Sequence, residues 1–145
     1  MNKYKELAKK LTPEQNRLWA IACAELVLPI FEDKYPNDDR PRLAIEAAKN
    51  KSQDVDARAA AAADAAWAAR NDNYDAVWAA DWAAYSAAYA AIWAANAAIL
   101  TGAYASDHAS DHATYWAAYA ADDAEKAGAN TEEILQLGEK IREQV

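Results

Sequence analysis

A pair of histidines offers the most direct route to chemistry in this sequence. His108 and His112 stand one helical turn apart in the tandem segment Ala-Ser-Asp-His-Ala-Ser-Asp-His, with Asp107 and Asp111 beside them. Two histidines at this spacing project from the same face of a helix, as pairs of metal ligands do. The spacing therefore indicates either a metal-dependent activity or two histidines hydrogen-bonded between helices.

A metal site would need a third ligand from another part of the chain. Asp81 and Asp122 are the candidates, because Cys23 is the one thiol and lies in an apolar helical pattern. The glutamate of a His-Glu-x-x-His motif is absent. We therefore predict no metal and no other cofactor, and interpret His108 and His112 as structural or partly exposed groups. The metal-dependent activity remains the alternative.

One carboxylate falls among aromatic residues. Asp81 shares a helical stripe with Trp78 and Tyr85, and Trp82 follows it in the chain. Burying a carboxylate is costly unless a cation pairs with it, so we expect Asp81 to form a structural salt bridge; a ligand site is the alternative. The available basic partners are Arg40, Arg42, Arg58, Arg70 and the two histidines.

The chain is rich in aromatic residues, with six tryptophans and eight tyrosines. A nucleotide-like ligand could stack on Trp78, Trp82 or Tyr85, with Arg40 or Arg42 as counter-charge to its phosphates. Aromatic stripes at helical spacing are more often packing residues, and we favour that interpretation. A serine nucleophile, a phosphate loop, a dinucleotide fingerprint and a cysteine–histidine pair are absent or unsupported. We therefore do not expect an enzyme.

The stretch Asp75–Leu100 is the element that must position these residues. It contains no glycine and no proline, and alanine is the strongest helix former. Large side chains follow one stripe of the helical wheel, whereas the opposite side carries only alanine. A helix without a charged face is usually enclosed, so we predict a central helix. Its aromatics are expected to supply packing volume, and its alanines to let neighbouring helices approach closely.

The fold class predicted for the whole chain is all-α, a single-domain bundle of about six or seven helices. The expected parts are an N-terminal helix in 1–12, a core in 13–128 and a C-terminal helix in 130–145. Thr12 with Gln15 predicts a capping box, Pro13 suits the first helical position, and Pro29 should bend or end that helix near Phe31. Whether 54–100 forms one helix or two is left open.

The 145-residue chain carries a net charge of −8, unevenly distributed. Between Ala59 and Ala121 the only basic residue is Arg70, against six aspartates. This balance repels phosphates, so we do not expect nucleic-acid binding. The uncharged run Trp82–Ser106 is mainly alanine with interspersed polar groups, so no membrane span is expected. A single cysteine and the absence of a signal peptide indicate the cytoplasm.

Two segments resemble a known family. The first segment lies in 18–32 and contains Leu18-Trp19-Ala20, Cys23-Ala24-Glu25, Val27-Leu28-Pro29 and Phe31-Glu32. The second lies in 38–48 and contains Asp38-Asp39-Arg40-Pro41-Arg42 and Ala44-Ile45-Glu46-Ala47-Ala48. The pattern is similar to the alanine-rich immunity proteins of bacterial polymorphic-toxin systems. In that family a histidine, a His-Ala and a tyrosine-alanine segment follow, and His108, His112-Ala113 and Tyr119-Ala120 match this order. The resemblance extends over about Leu18 to Asp123, and the aromatic enrichment of Trp67–Trp93 departs from it.

The resemblance implies a binding role rather than catalysis. The predicted function is a non-enzymatic inhibitor of the immunity or phage counter-defence kind, which binds a protein toxin or defence effector directly through an acidic surface. The alternatives are a sponge for a nucleotide-like ligand in the aromatic core and a metal-dependent activity at the histidines. Alanine faces pack against a second copy as readily as within one chain, so a homodimer is compatible with the sequence.

Overall fold

The computed structural model describes residues 2–49, 76–99 and 103–144. These residues form six helices and no strand, as an all-α single-domain bundle. The helices are α1 (Asn2–Lys9), α2 (Pro13–Lys34), α3 (Arg40–Lys49), α4 (Ala76–Ile99), α5 (Ala103–Lys126) and α6 (Thr131–Glu143). The predicted fold class is confirmed.

The start of α2 follows from its sequence. The Thr12 hydroxyl accepts a hydrogen bond from the Gln15 backbone N–H at 3.1 Å, and the Gln15 side chain accepts one from the Thr12 N–H at 2.9 Å. This capping box, with Pro13 at the first position, is confirmed. The predicted end near Phe31 is too early, because the helix continues through Pro29 to Lys34. Pro29 is exposed, so water can solvate the carbonyl that loses its partner.

The predicted central helix is α4, which contacts α2, α3 and α5. Helix α5 runs antiparallel to it, since Ser86 contacts Asp123 near one end of the pair and Trp93 contacts His112 near the other. The buried alanines of the two helices are Ala79, Ala80, Ala83, Ala84, Ala87, Ala88, Ala90, Ala91 and Ala94 of α4, with Ala109, Ala113, Ala117, Ala118, Ala120, Ala121 and Ala124 of α5. Alanine therefore forms the packing face of both helices.

The aromatic side chains of α4 do not fill the core, which corrects the expectation that they supply the packing volume. Trp82, Tyr85, Tyr89 and Trp93 are only half-buried. The largest fully buried side chains come instead from the surrounding helices, among them Trp19 of α2 and Tyr4 of α1. The reason is geometric, because the distance between helix axes depends on the side chains at the contact and alanine contacts leave no space for an indole.

The end of α5 and the start of α6 lie within the described residues. Helix α5 stops where predicted, at Gly128, whose φ of +115° lies in the region that favours glycine. The Asn130 side chain caps α6 by accepting the N–H groups of Glu132 and Glu133. The sequence also predicts a helix over Asp54–Arg70, a break at Asn71–Asn73 and an interruption at Thr101–Gly102, and all three lie outside the described ranges. Among the described residues, no helix combines the length and the apolar character needed to cross a bilayer.

Enlarging one buried alanine should destabilise this bundle more than removing an exposed leucine. Ala87 is fully buried on α4, whereas Leu43 on α3 is 47% exposed. We expect Ala87→Leu to lower the free energy of unfolding by about 2 kcal/mol or more through overpacking, and Leu43→Ala to change it by less than about 1 kcal/mol. Chemical denaturation followed by circular dichroism measures both. Equal losses in the two variants would contradict an alanine-packed core.

Candidate functional site

The aromatic side chains of α4 and α5 meet along one edge of the helix pair. This aromatic surface consists of Trp82, Tyr85, Tyr89 and Trp93 of α4 with Tyr115, Trp116 and Tyr119 of α5, all half-buried or exposed. Trp82 stacks on Tyr85 with ring centroids 4.6 Å apart and planes 4° from parallel. The Trp116 ring lies 5.0 Å from Tyr89 and 5.7 Å from Tyr85. These contacts restrict the orientations of the aromatic side chains on both helices.

At one end this surface opens into a groove of about 560 Å³. The residues lining this histidine groove are Tyr89, Trp93, His108, Asp111, His112, Tyr115 and Trp116. Tyr115, at 39%, is the most exposed of the large aromatic side chains of α4 and α5 that the structure describes. Helix α4 supplies one wall and α5 the other. The groove is therefore open to solvent and is built mainly from aromatic rings.

The two histidines contact each other inside this groove. Their Nε2 atoms are 3.1 Å apart, so one ring nitrogen donates a hydrogen bond and the other accepts it. Trp93 stacks on His112 with ring centroids 4.3 Å apart and planes 19° from parallel. The helical spacing predicted from sequence thus places both histidines on one face, and the indole of Trp93 orients the His112 ring.

The predicted third metal ligands do not reach this histidine pair. Asp81 lies twelve residues from Trp93 on α4, about 18 Å along the helix axis, and Asp122 lies ten residues from His112 on α5, about 15 Å. In the part of the chain that the structure describes, no three histidine, cysteine or acidic side chains form a group that could hold a metal ion. The pair therefore offers two ligands.

Asp81 is buried as predicted, but without the predicted salt bridge. Its side chain is 3% exposed, and its Oδ1 atom has no hydrogen-bond partner among the described residues. Burial and the nearby negative charge of Asp38 raise the pKa of Asp81 to about 7, and the positive charge of Arg40 opposes this shift. The surrounding helices exclude water from this carboxylate, so its charged form is poorly solvated.

The arginines expected beside Asp81 are paired elsewhere. Arg40 donates from Nε to Asp38 at 2.8 Å, and this contact holds the pKa of Asp38 below its usual value. Arg42 is exposed and donates from Nε to Glu32 at 2.8 Å, which lowers the pKa of that glutamate in the same way. Arg58 and Arg70 lie outside the described residues, as does the side chain of Trp78.

The loop that carries Arg40 forms a second groove. It has a volume of about 590 Å³, and its lining residues are Lys34, Tyr35, Pro36, Asn37, Asp38, Asp39 and Arg40. The predicted site residues are therefore divided between two places. Asp81 and Arg40 lie at one end of α4, whereas the histidines lie about 18 Å away along it. The structure does not assemble them into one pocket.

Asp123 is a second buried carboxylate, and neither its burial nor a role in a site was predicted from the sequence. It is 1% exposed, and the Ser86 hydroxyl donates to its Oδ2 at 3.1 Å across the α4–α5 contact. Burial raises the pKa of Asp123 to about 8, although the Ser86 hydrogen bond and the charge of Lys126 act in the opposite direction. Its position on the alanine stripe, three residues after Ala120 and four before Ala127, is the sequence signal that indicates burial.

Comparison with known proteins identifies the family. A family model described as Imm-5 like putative immunity protein matches residues 6–99. Because this range is more than half of the 145-residue chain, the chain belongs to that family. The match includes Asp81 and the segment from Asp38 to Arg42, and it ends before the two histidines. No curated protein and no solved structure matches the chain.

The two buried carboxylates should make stability depend on pH. An aspartate whose pKa rises on folding contributes most to the free energy of unfolding below its unfolded pKa near 3.8. For Asp81 this stability is lost as pH rises through its folded pKa of about 7. We expect Asp81→Asn to match the wild type near pH 4 and to exceed its free energy of unfolding by about 3 kcal/mol at pH 8.

Urea denaturation at pH 4, 6 and 8 measures this difference. Glu46→Gln, at an exposed position of α3, serves as the matched control and should show no such trend. An Asp81→Asn variant that loses stability as pH rises, relative to the wild type, would show that the carboxylate is paired in the folded protein.

Proposed function

We propose that the chain neutralises a protein toxin by binding it directly, without catalysis, and that the aromatic surface is the contact face. Membership of an immunity-protein family supports the toxin-neutralising role. The observation that carries the choice of surface is the row of half-exposed tryptophan and tyrosine rings along α4 and α5, in a bundle whose core is closed by alanine.

The composition of this surface is typical of energetic hot spots in protein interfaces. Tryptophan and tyrosine contribute most of the binding free energy at such sites, because they bury large areas with few rotatable bonds. Here the rings already contact one another, as Tyr115 does with Tyr119 at 4.5 Å between centroids. Rings that are held in place before binding lose less conformational entropy when a partner covers them.

The contacts argue against the nucleotide sponge. Trp82 and Tyr85 stack directly on each other, and their 4.6 Å separation leaves no space for a base between the rings. The histidine groove has no lysine or arginine in its described lining, and Arg42 is paired with Glu32. A phosphate-bearing ligand would meet the carboxylate of Asp111 in the lining, and the charge of Asp111 would repel it.

A binding role also fits the histidines better than a catalytic one. His108 and His112 hydrogen-bond to each other through their Nε2 atoms, so this contact occupies the ring nitrogens through which they would otherwise face a substrate. The same mode of binding would serve a mobile-element protein that blocks a host defence effector. We assign the chain to the immunity role because the family match is to immunity proteins.

Stoichiometry distinguishes binding from catalytic neutralisation. Candidate toxin domains are purified, and the activity of each is titrated with the chain. We expect the activity of the cognate toxin to fall linearly to an end point at one chain per toxin, and size-exclusion chromatography with light scattering to show the same ratio. Complete inhibition at a small fraction of one equivalent would contradict a binding mechanism.

Substitutions on the aromatic surface test which face is used. Tyr115→Ala removes an exposed ring, and Leu43→Ala removes an apolar side chain of similar exposure from α3. We expect Tyr115→Ala to weaken toxin binding at least about tenfold, the effect of losing a hot-spot ring, and Leu43→Ala to change it less than about twofold. Isothermal titration calorimetry measures both. The reverse order would place the interface on another face.

A further inference from the structure

The histidine groove has an uneven distribution of charge. Asp111 is exposed, lines the groove and makes no ion pair or hydrogen bond within the described residues. Asp107, one turn earlier on α5, is likewise exposed and has no such partner there. No lysine or arginine is among the described residues of the lining. The groove therefore presents aromatic walls beside carboxylates that have no ion-pair partner within the described part of the chain.

Aromatic walls beside exposed carboxylates favour one kind of bound side chain over the others. An anionic side chain would be repelled by Asp111 and Asp107, and the chain as a whole carries a charge of −8. An apolar side chain would cover the rings, but it would also remove water from Asp111 without supplying a partner. A cation satisfies both requirements, because the faces of tryptophan and tyrosine rings attract positive charge and the carboxylate pairs with it.

Arginine suits these walls better than lysine. Its planar guanidinium can lie flat against an aromatic ring while its N–H groups donate to a carboxylate, whereas the ammonium of lysine is a compact and strongly hydrated charge. One wall already accepts a cation, since the Lys5 ammonium lies 5.9 Å from the centroid of the Tyr115 ring. His108 and His112 use their facing nitrogens on each other, so Asp111 remains as the acceptor.

We infer that the histidine groove binds an arginine side chain from a basic segment of the partner protein, with the guanidinium against the rings of Tyr89, Tyr115 and Trp116 and its N–H groups directed at Asp111. This inference rests on the proposed function, because it names the chemistry of the toxin surface that the aromatic face would meet. It also explains why a carboxylate stands without a counter-ion in an aromatic groove.

The test uses short peptides that differ by one charge. The peptide Ac-Ala-Arg-Ala-NH2 and its citrulline analogue, which has nearly the same shape without the charge, are titrated into the full chain. Binding is followed by the indole N–H signals in proton–nitrogen NMR spectra, assigned through Trp93→Phe and Trp116→Phe. We expect the arginine peptide to shift the signals of these two tryptophans and to bind at least about fivefold more tightly than the citrulline peptide.

Two variants separate the groove from general electrostatics. Asp111→Asn should weaken arginine-peptide binding about threefold or more, whereas Glu46→Gln removes the same charge from exposed α3 and should leave it unchanged. Both changes are at exposed positions, so neither is expected to unfold the chain. Equal binding of the two peptides, or an Asp111→Asn variant that binds like the wild type, would overturn the inference.

The outcomes also distinguish this inference from the proposed function. A one-to-one toxin complex that depends on Tyr115, together with no preference for the arginine peptide, would leave the immunity role standing and remove the arginine site. An arginine-selective groove in a chain that inhibits none of the toxins would uphold the site chemistry and contradict the immunity role.

Discussion

The close approach of α4 and α5 through alanine is the constraint on which the rest of this structure depends. Sixteen alanines are buried among the described side chains of these two helices, and their small size lets neighbouring helices approach closely. The tryptophans and tyrosines of the same helices are therefore placed at the edge of the contact. Under the proposed function, packing and recognition are linked, because the small residues that close the core also put the rings within reach of a partner.

Two carboxylates are buried on these alanine-rich helices. Asp81 and Asp123 each lie on the buried side of a helix that otherwise contributes alanine, where water is excluded and charge is poorly solvated. Asp123 finds the Ser86 hydroxyl across the contact, whereas the Oδ1 atom of Asp81 finds none. Both therefore favour the neutral form at pH values where an exposed aspartate is charged. This is a cost in stability that a wholly apolar contact would not have.

Local features of the fold could be predicted, and the direction of packing could not. The capping box at Thr12, the end of α5 at Gly128 and the central position of α4 follow from residue types at fixed spacings. Periodicity separated the two sides of α4, and neighbouring helices approach closely on the alanine side as expected. The aromatic side was expected to pack in the core as well, but spacing alone does not say how much of a helix its neighbours cover, and these rings are only half-buried. The salt bridge expected for Asp81 is not present among the described residues. Local spacing places Asp81 on a helical stripe, but it does not show which arginine of a distant segment lies close to it.

The groove joins two parts of the chain that differ in their relation to the family. Tyr89 and Trp93 lie within the matched residues, whereas the histidines and Asp111 lie on α5, beyond residue 99. The wall from α4 is therefore continuous with the helix that the family model describes, and α5 supplies the charge. In a binding protein, exposed polar and charged groups decide which partner is accepted, while apolar area contributes affinity. Under the proposed function, a carboxylate on α5 is thus the position where partner choice can change without disturbing the alanine contact that holds the two walls together.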